Sequence, residues 1–204
     1  MRVGPQALAK TIQRTVVRFL GRLFLALHPR QAVRGIKVVF SDPVVDQKMC
    51  VDTIKAALDL MSDVDPRGFS MVTRYVNHVL VWPGSYTAYD KWGGIHLAAR
   101  HAIGVPAPLL ASALLHEATH LRISRRGIPY LPALRSRIEA ACVKTQASFL
   151  RRIIPEGPAW ADRVEAGLRE PWWSEADRRA RVQQSLRDAG LPPWLEPLLF
   201  RPNR

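Results

Sequence analysis

The chain has 204 residues, 48% of them hydrophobic, which is enough for one sizeable core with extensions. Its formal net charge of +13 suits an anionic partner such as nucleic acid, a phospholipid surface or an acidic substrate, although a generally basic composition gives the same total. No aromatic stripe is interleaved with the basic residues, which argues against an RNA-binding surface.

The first 41 residues contain eight Lys or Arg and no acid. Lys10, Arg14, Arg18 and Arg22 line one helical face, and Ile12, Val16, Phe19, Leu20, Leu23 and Leu27 line another. Charges interrupt the apolar run throughout, which disfavours both a membrane span and a cleaved secretory signal. A cytoplasmic chain is expected, either peripheral to an anionic membrane through this helix or with the helix docked on the rest of the protein. Ile36-Lys37-Val38-Val39-Phe40 reads as a strand, and residues 46–61 read as a helix. Two strands are expected at Met71–Val76 and His78–Trp82, and a further one at Ile95–Ala98 after Gly93-Gly94. This last strand is either an edge that pairs with an extended substrate or simply the arm after a glycine turn. The two cysteines, Cys50 and Cys142, fall on apolar helical faces and read as buried free thiols that form no metal site.

The most informative stretch is His116-Glu117-Ala118-Thr119-His120, preceded by an apolar helical run from Pro106. At four-residue spacing both imidazoles lie on one helix face and reach a single zinc ion, with Glu117 beside its open position. Two His and a Glu on so apolar a helix require partners. Ile123 and Arg126 stand where a three-His extension of the motif needs Gly and His, which excludes that class. Gly127 to Pro132 ends the helix, and 133–152 reads as a second long helix with Glu139 as its only acid. His96 and His101 are left out of the ligand set, since a lone His is more often a surface or hydrogen-bonded core residue.

HExxH, a turn and a glutamate helix at this distance resemble the gluzincin branch of the zincin metallopeptidases, over roughly residues 70–152. The resemblance implies His116, His120 and Glu139 as zinc ligands and Glu117 as general base. It also implies a compact α+β module, with a small mixed sheet over the HExxH helix and the glutamate helix following. Where the family often carries Asn before the ligand Glu and Asp four residues after it, this chain has Ile138 and Val143. That leaves the partner of the ligand His unassigned. Glu139 also has an alternative reading as an ion pair with Arg135, one turn earlier.

In such a site a zinc-bound water attacks the scissile carbonyl, and Glu117 carries its proton to the leaving amine. Tyr130 is the first candidate to steady the oxyanion, ahead of Tyr75, Tyr86 and Tyr89. Arg135 and Arg137 either orient Glu139 or meet a substrate carboxylate, or are solvated helix charges. After Ile154 the chain turns rich in Pro, Trp and Arg, with short helices expected at 159–169 and 174–189; Trp160, Trp172, Trp173 and Trp194 are expected to pin this tail to the core. The expected organisation is a basic amphipathic helix (1–34), a catalytic unit (35–154) and a helical extension (155–204). The expected activity is zinc-dependent hydrolysis of a peptide or protein. The alternative is a catalytically silent or partner-restricted protein of the same fold, associated with DNA or an anionic membrane.

Overall fold

The computed structural model describes residues 27–42, 44–84, 87–90, 93–153, 155, 157–169, 174–188 and 190. The amphipathic helix expected within 1–34 lies almost wholly outside these residues, as do Tyr86, Trp172, Trp173 and Trp194. A hairpin opens the described chain. Arg34 and Gly35 take φ values of 50° and 83°, as a two-residue type I′ turn requires. They join β1 (Arg30–Val33) to β2 (Ile36–Phe40), with Val33 opposite Ile36.

Two aspartates then set the helices. The Asp46 carboxylate accepts the Met49 amide at 2.9 Å and starts α1 (Gln47–Val64). Asp65 closes α1, donating its amide to the Met61 carbonyl, and opens α2 (Pro66–Tyr75) by accepting the Gly68 amide at 3.2 Å. Pro66 sits at the start of that helix, where its missing N–H costs nothing. The run 71–76, predicted as a strand, is therefore helical up to Tyr75, and only Val76 is extended. A strong upstream cap and the burial of Val72 override the β preference of Val72 and Thr73.

The helices α1 and α2 carry the chain across to β3 (His78–Trp82), which runs parallel to β2. β4 (Ala88–Tyr89) and β5 (Gly94–Ala98) complete a mixed sheet of order β1-β2-β3-β5-β4. β5 is parallel to β3 and antiparallel to β4. The strand at 95–98, considered as a substrate-binding edge, thus lies inside the sheet, and the two-residue β4 forms the edge.

One sheet face is apolar and packs on helices. Val38, Phe40, Val79, Val81, Ile95 and Leu97 join a core with Ile54, Leu58 and Met61 of α1. After the short α3 (Ala99–Ala102), α4 (Ala107–Arg125) contributes Leu110, Leu114 and Leu115 to the same core. Gly127, at φ 79°, terminates α4 by donating to the Ser124 carbonyl. α5 (Pro132–Ile153) packs along α4, and α6 (Gly157–Ala166) packs on α5 through Ala147, Leu150 and Ala161, with Trp160 half-buried against them. A 3-10 turn (Gly167–Arg169) and α7 (Glu175–Asp188) follow. Seven helices and one five-stranded mixed sheet among the described residues make the protein α+β. No helix among them is long and apolar enough to cross a membrane.

Candidate metal centre

α4 is buried nearly all round. Leu110, Leu114, Leu115 and Leu121 join the sheet core, while His116 and His120 face Glu139 of α5, and they and Glu117 are each no more than 9% exposed. The imidazoles converge, with Nε2 of His116 and Nε2 of His120 only 3.1 Å apart. Glu139 of α5, 2% exposed, points its carboxylate at both: Oε2 lies 3.4 Å from His120 Nε2 and 3.6 Å from His116 Nε2. The three edges of this triangle are thus 3.1, 3.4 and 3.6 Å. Zinc bonds of about 2.0–2.1 Å in a tetrahedron give ligand-to-ligand edges of roughly 3.3 Å. The donor set therefore fits zinc in chemistry and in spacing.

A second observation points the same way. Glu139 Oε2 is buried and faces the two imidazoles without a hydrogen bond of its own, and a buried charged oxygen that lacks one is costly. The other oxygen, Oε1, accepts a hydrogen bond from the Tyr130 hydroxyl. Burial alone would raise the Glu139 carboxyl; His116, His120 and Tyr130 outweigh it and hold the group well below the usual carboxylate range. Burial likewise opposes a charged His116, but Glu139 and the negative charge of Glu117 raise its pKa above the ordinary value.

The partner left unassigned for the first His is Gln146. Its Oε1 lies 3.1 Å from His116 Nδ1. An amide oxygen only accepts, so Nδ1 carries the hydrogen and Nε2 presents its lone pair to the centre. Gln146 is itself held by donating to Ser112 Oγ at 3.2 Å, and Ser112 donates to the Leu109 carbonyl at 2.8 Å. Gln146 stands seven residues after Glu139, two turns along the same face of α5. That spacing is the signal available in the sequence, three residues beyond Val143.

Aromatic rings wall the site. Tyr89 of β4 stacks on His120 with centroids 4.7 Å apart and planes 13° off parallel. Tyr130 meets His120 edge-on at 5.7 Å. The Arg135 guanidinium lies over the Tyr130 ring at 5.4 Å and its side chain is buried, so it is no solvated helix charge, whereas Arg137 is exposed. Burial and the nearby carboxylates push both tyrosine hydroxyls well above their usual range, so they stay protonated donors. The Tyr130 hydroxyl expected at an oxyanion is committed to Glu139 Oε1. Tyr75 is engaged elsewhere, under the Arg74 and Arg125 guanidinium groups. Glu117 makes no hydrogen bond or ion pair with another described residue, yet its charge acts on His116, Tyr89 and Cys142.

Cys142 requires a correction. Both thiols are buried and free, as expected, but Cys142 is not remote from metal chemistry. Its Sγ and one nitrogen each of His116 and His120 lie within 4.8 Å of one another. Glu139 is the nearer donor by the distances above, and burial pushes the Cys142 thiol well up, with Glu139 and Glu117 adding to the effect. Glu139 is therefore the better third ligand for a hard or borderline ion.

The two other histidines considered belong elsewhere. His101 Nδ1 contacts Thr87 Oγ1 at 3.1 Å, and burial lowers its pKa. His96 joins His78 around Asp90, whose Oδ2 lies 3.3 and 3.4 Å from their Nε2 atoms. No protein-family description matches this chain, and no curated protein or solved structure is similar to it.

Proposed function

We propose that the chain is a zinc-dependent peptidase of gluzincin type, in which His116, His120 and Glu139 hold the metal. The reading is carried by the triangle of Nε2, Nε2 and Oε2 atoms at zinc-ligand spacing, with Glu139 Oε2 buried and without a hydrogen bond. Zinc bound there would lower the pKa of its water to about 7 and polarise a carbonyl oxygen. Glu117 is the general base: its carboxylate, uncommitted among the described residues, takes a proton from the attacking water and gives it to the leaving amine. Tyr130 positions the centre by donating to Glu139 Oε1. Gln146 sets the tautomer of His116. Tyr89, stacked on His120, ties the edge strand β4 to the metal. An extended peptide paired on β4 would pass beside the ligand histidine.

Glu117→Gln separates chemistry from binding. Zinc content should stay at one per chain while turnover of a peptide library falls about 10²–10⁴-fold, the usual worth of a general base. Cleavage by the variant at the wild-type rate would overturn the mechanism. A second reading, a zinc-loaded protein that hydrolyses nothing by itself, is favoured by one feature. The His116 partner is a neutral amide rather than a carboxylate, which makes the ligand less basic. Wild-type inertness toward diverse peptides at full zinc load would select it. The charge of +13 points to an anionic surface or nucleic acid as the localising partner in either case, and salt-sensitive binding to duplex DNA or anionic vesicles tests this.

A further inference from the structure

We propose that Cys142 is an alternative third donor of the same centre, so that the site takes a thiophilic divalent ion such as Cd2+ through sulfur and zinc through Glu139. The inference rests on reading His116 and His120 as metal ligands. α5 offers both donors from one face: Glu139 and Cys142 are three residues apart, one turn of helix. The sulfur and one nitrogen of each histidine already lie within 4.8 Å of one another. With metal–sulfur and metal–nitrogen bonds of about 2.3 and 2.0 Å, tetrahedral edges are roughly 3.5 Å, so a shift of about an ångström closes the set.

A buried polar atom at the same place points to a ligand: Glu139 Oε2, in a residue 2% exposed, has no hydrogen-bond partner. Carboxylate and thiolate differ in softness, so exchanging one for the other changes which ion is held best. Coordination through sulfur breaks the S–H bond of Cys142 and releases its proton to solvent, while the electron pair of the thiolate goes to the metal. No oxidant or reductant is involved. The other thiol, Cys50, is sealed in the hydrophobic core on α1 and serves as an internal control.

The test uses the full-length chain loaded with Cd2+. Wild type and Cys50→Ser should show the ultraviolet sulfur-to-metal charge-transfer band, and Cys142→Ser should lose it while still binding the ion. Glu139→Ala should keep the band and lose zinc retention, reversing the metal preference of Cys142→Ser. Stoichiometric Cd2+ uptake by wild type without the band, or a band that survives Cys142→Ser, overturns the inference and leaves the zinc reading standing. Failure of wild type to take up either ion overturns both.

Discussion

Two places among the described residues gather a pair of imidazoles around one carboxylate oxygen, and the metal proposed above falls at only one of them. At the first, His116 and His120 flank Glu139 Oε2 at 3.6 and 3.4 Å; at the second, His78 and His96 flank Asp90 Oδ2 at 3.4 and 3.3 Å. Composition and distances to the carboxylate are nearly identical. What differs is the backbone beneath. Four residues of helix bring two Nε2 atoms to 3.1 Å of each other, whereas His78 and His96 stand on neighbouring strands, opposite Gly94 and Leu80 respectively. The Asp90 carboxylate is also supplied from within, with Oδ1 accepting the Gly94 amide at 3.0 Å and Oδ2 facing His96. Helix spacing against strand register, together with the backbone amide that Asp90 accepts, distinguishes the two.

The largest effect expected from this contrast is all or none. Glu139→Ala should abolish stoichiometric zinc, and Asp90→Asn should leave zinc content at the wild-type value, both read by metal analysis of the purified, folded chain. Zinc loss in the Asp90 variant with retention in the Glu139 variant would reverse the assignment of the two clusters. A smaller effect follows at Gln146. Substitution by Ala frees His116 Nδ1 and the tautomer it fixes, so zinc affinity should fall about 10–100-fold, the range for residues that orient a metal ligand. Gln146→Glu should restore or strengthen binding by adding charge to the same contact. Competition with a chelator measures both.

Legibility in the sequence divides along the same line as the two clusters. α4 and α5 are readable because helix periodicity is local: HExxH, the turn at Gly127 and the apolar spacing around Glu139 all lie within one stretch of chain. So were the hairpin's second strand and α1. The Asp90 cluster was not, since β3, β4 and β5 meet only through sheet pairing, and no residue spacing encodes that β5 is interior and β4 the edge. Val72 and Thr73 favoured a strand by propensity, yet the Asp65 cap decided otherwise. Cys142 and Gln146 belong to an intermediate case. Both share the Glu139 face at three and seven residues' distance, so a helical projection contains them, but nothing in the sequence says which of the face's residues the imidazoles will meet.

A smaller perturbation isolates the Asp90 cluster. A Cβ at Gly94 would lie 2.2 Å from His78 Nε2 and 2.3 Å from Asp90 Oδ2, so Gly94→Ala must push these groups apart. Overpacking of this kind costs about 1–3 kcal/mol. Denaturant unfolding should show that loss with zinc stoichiometry unchanged, because His78, His96 and Asp90 are none of the proposed ligands. A fall in zinc content would mean that β4 transmits the disturbance through the Tyr89–His120 stack.

The smallest effect expected is the pH dependence of the metal-free chain, where His116 differs in sign from the two carboxylates. Asp90 is held below its ordinary value: burial opposes this, but His78, His96 and the Gly94 amide prevail. Its contribution to stability is therefore complete above the unfolded value of 3.8 and is lost as pH falls through the depressed folded value. Glu139 behaves alike, from an unfolded value of 4.5. His116 runs the other way. Its folded pKa is raised, so its contribution is complete below the unfolded value of 6.5 and is lost as pH rises through the folded one. Without metal, the His116–Glu139 pair should contribute most between pH 4.5 and 6.5. Zinc competes with the proton on His116, so affinity should fall as pH drops through the raised His116 pKa. Asp90→Asn should weaken only the acid limb of the unfolding curve. If it also removed the loss of stability on the alkaline side, the two clusters would be one coupled unit.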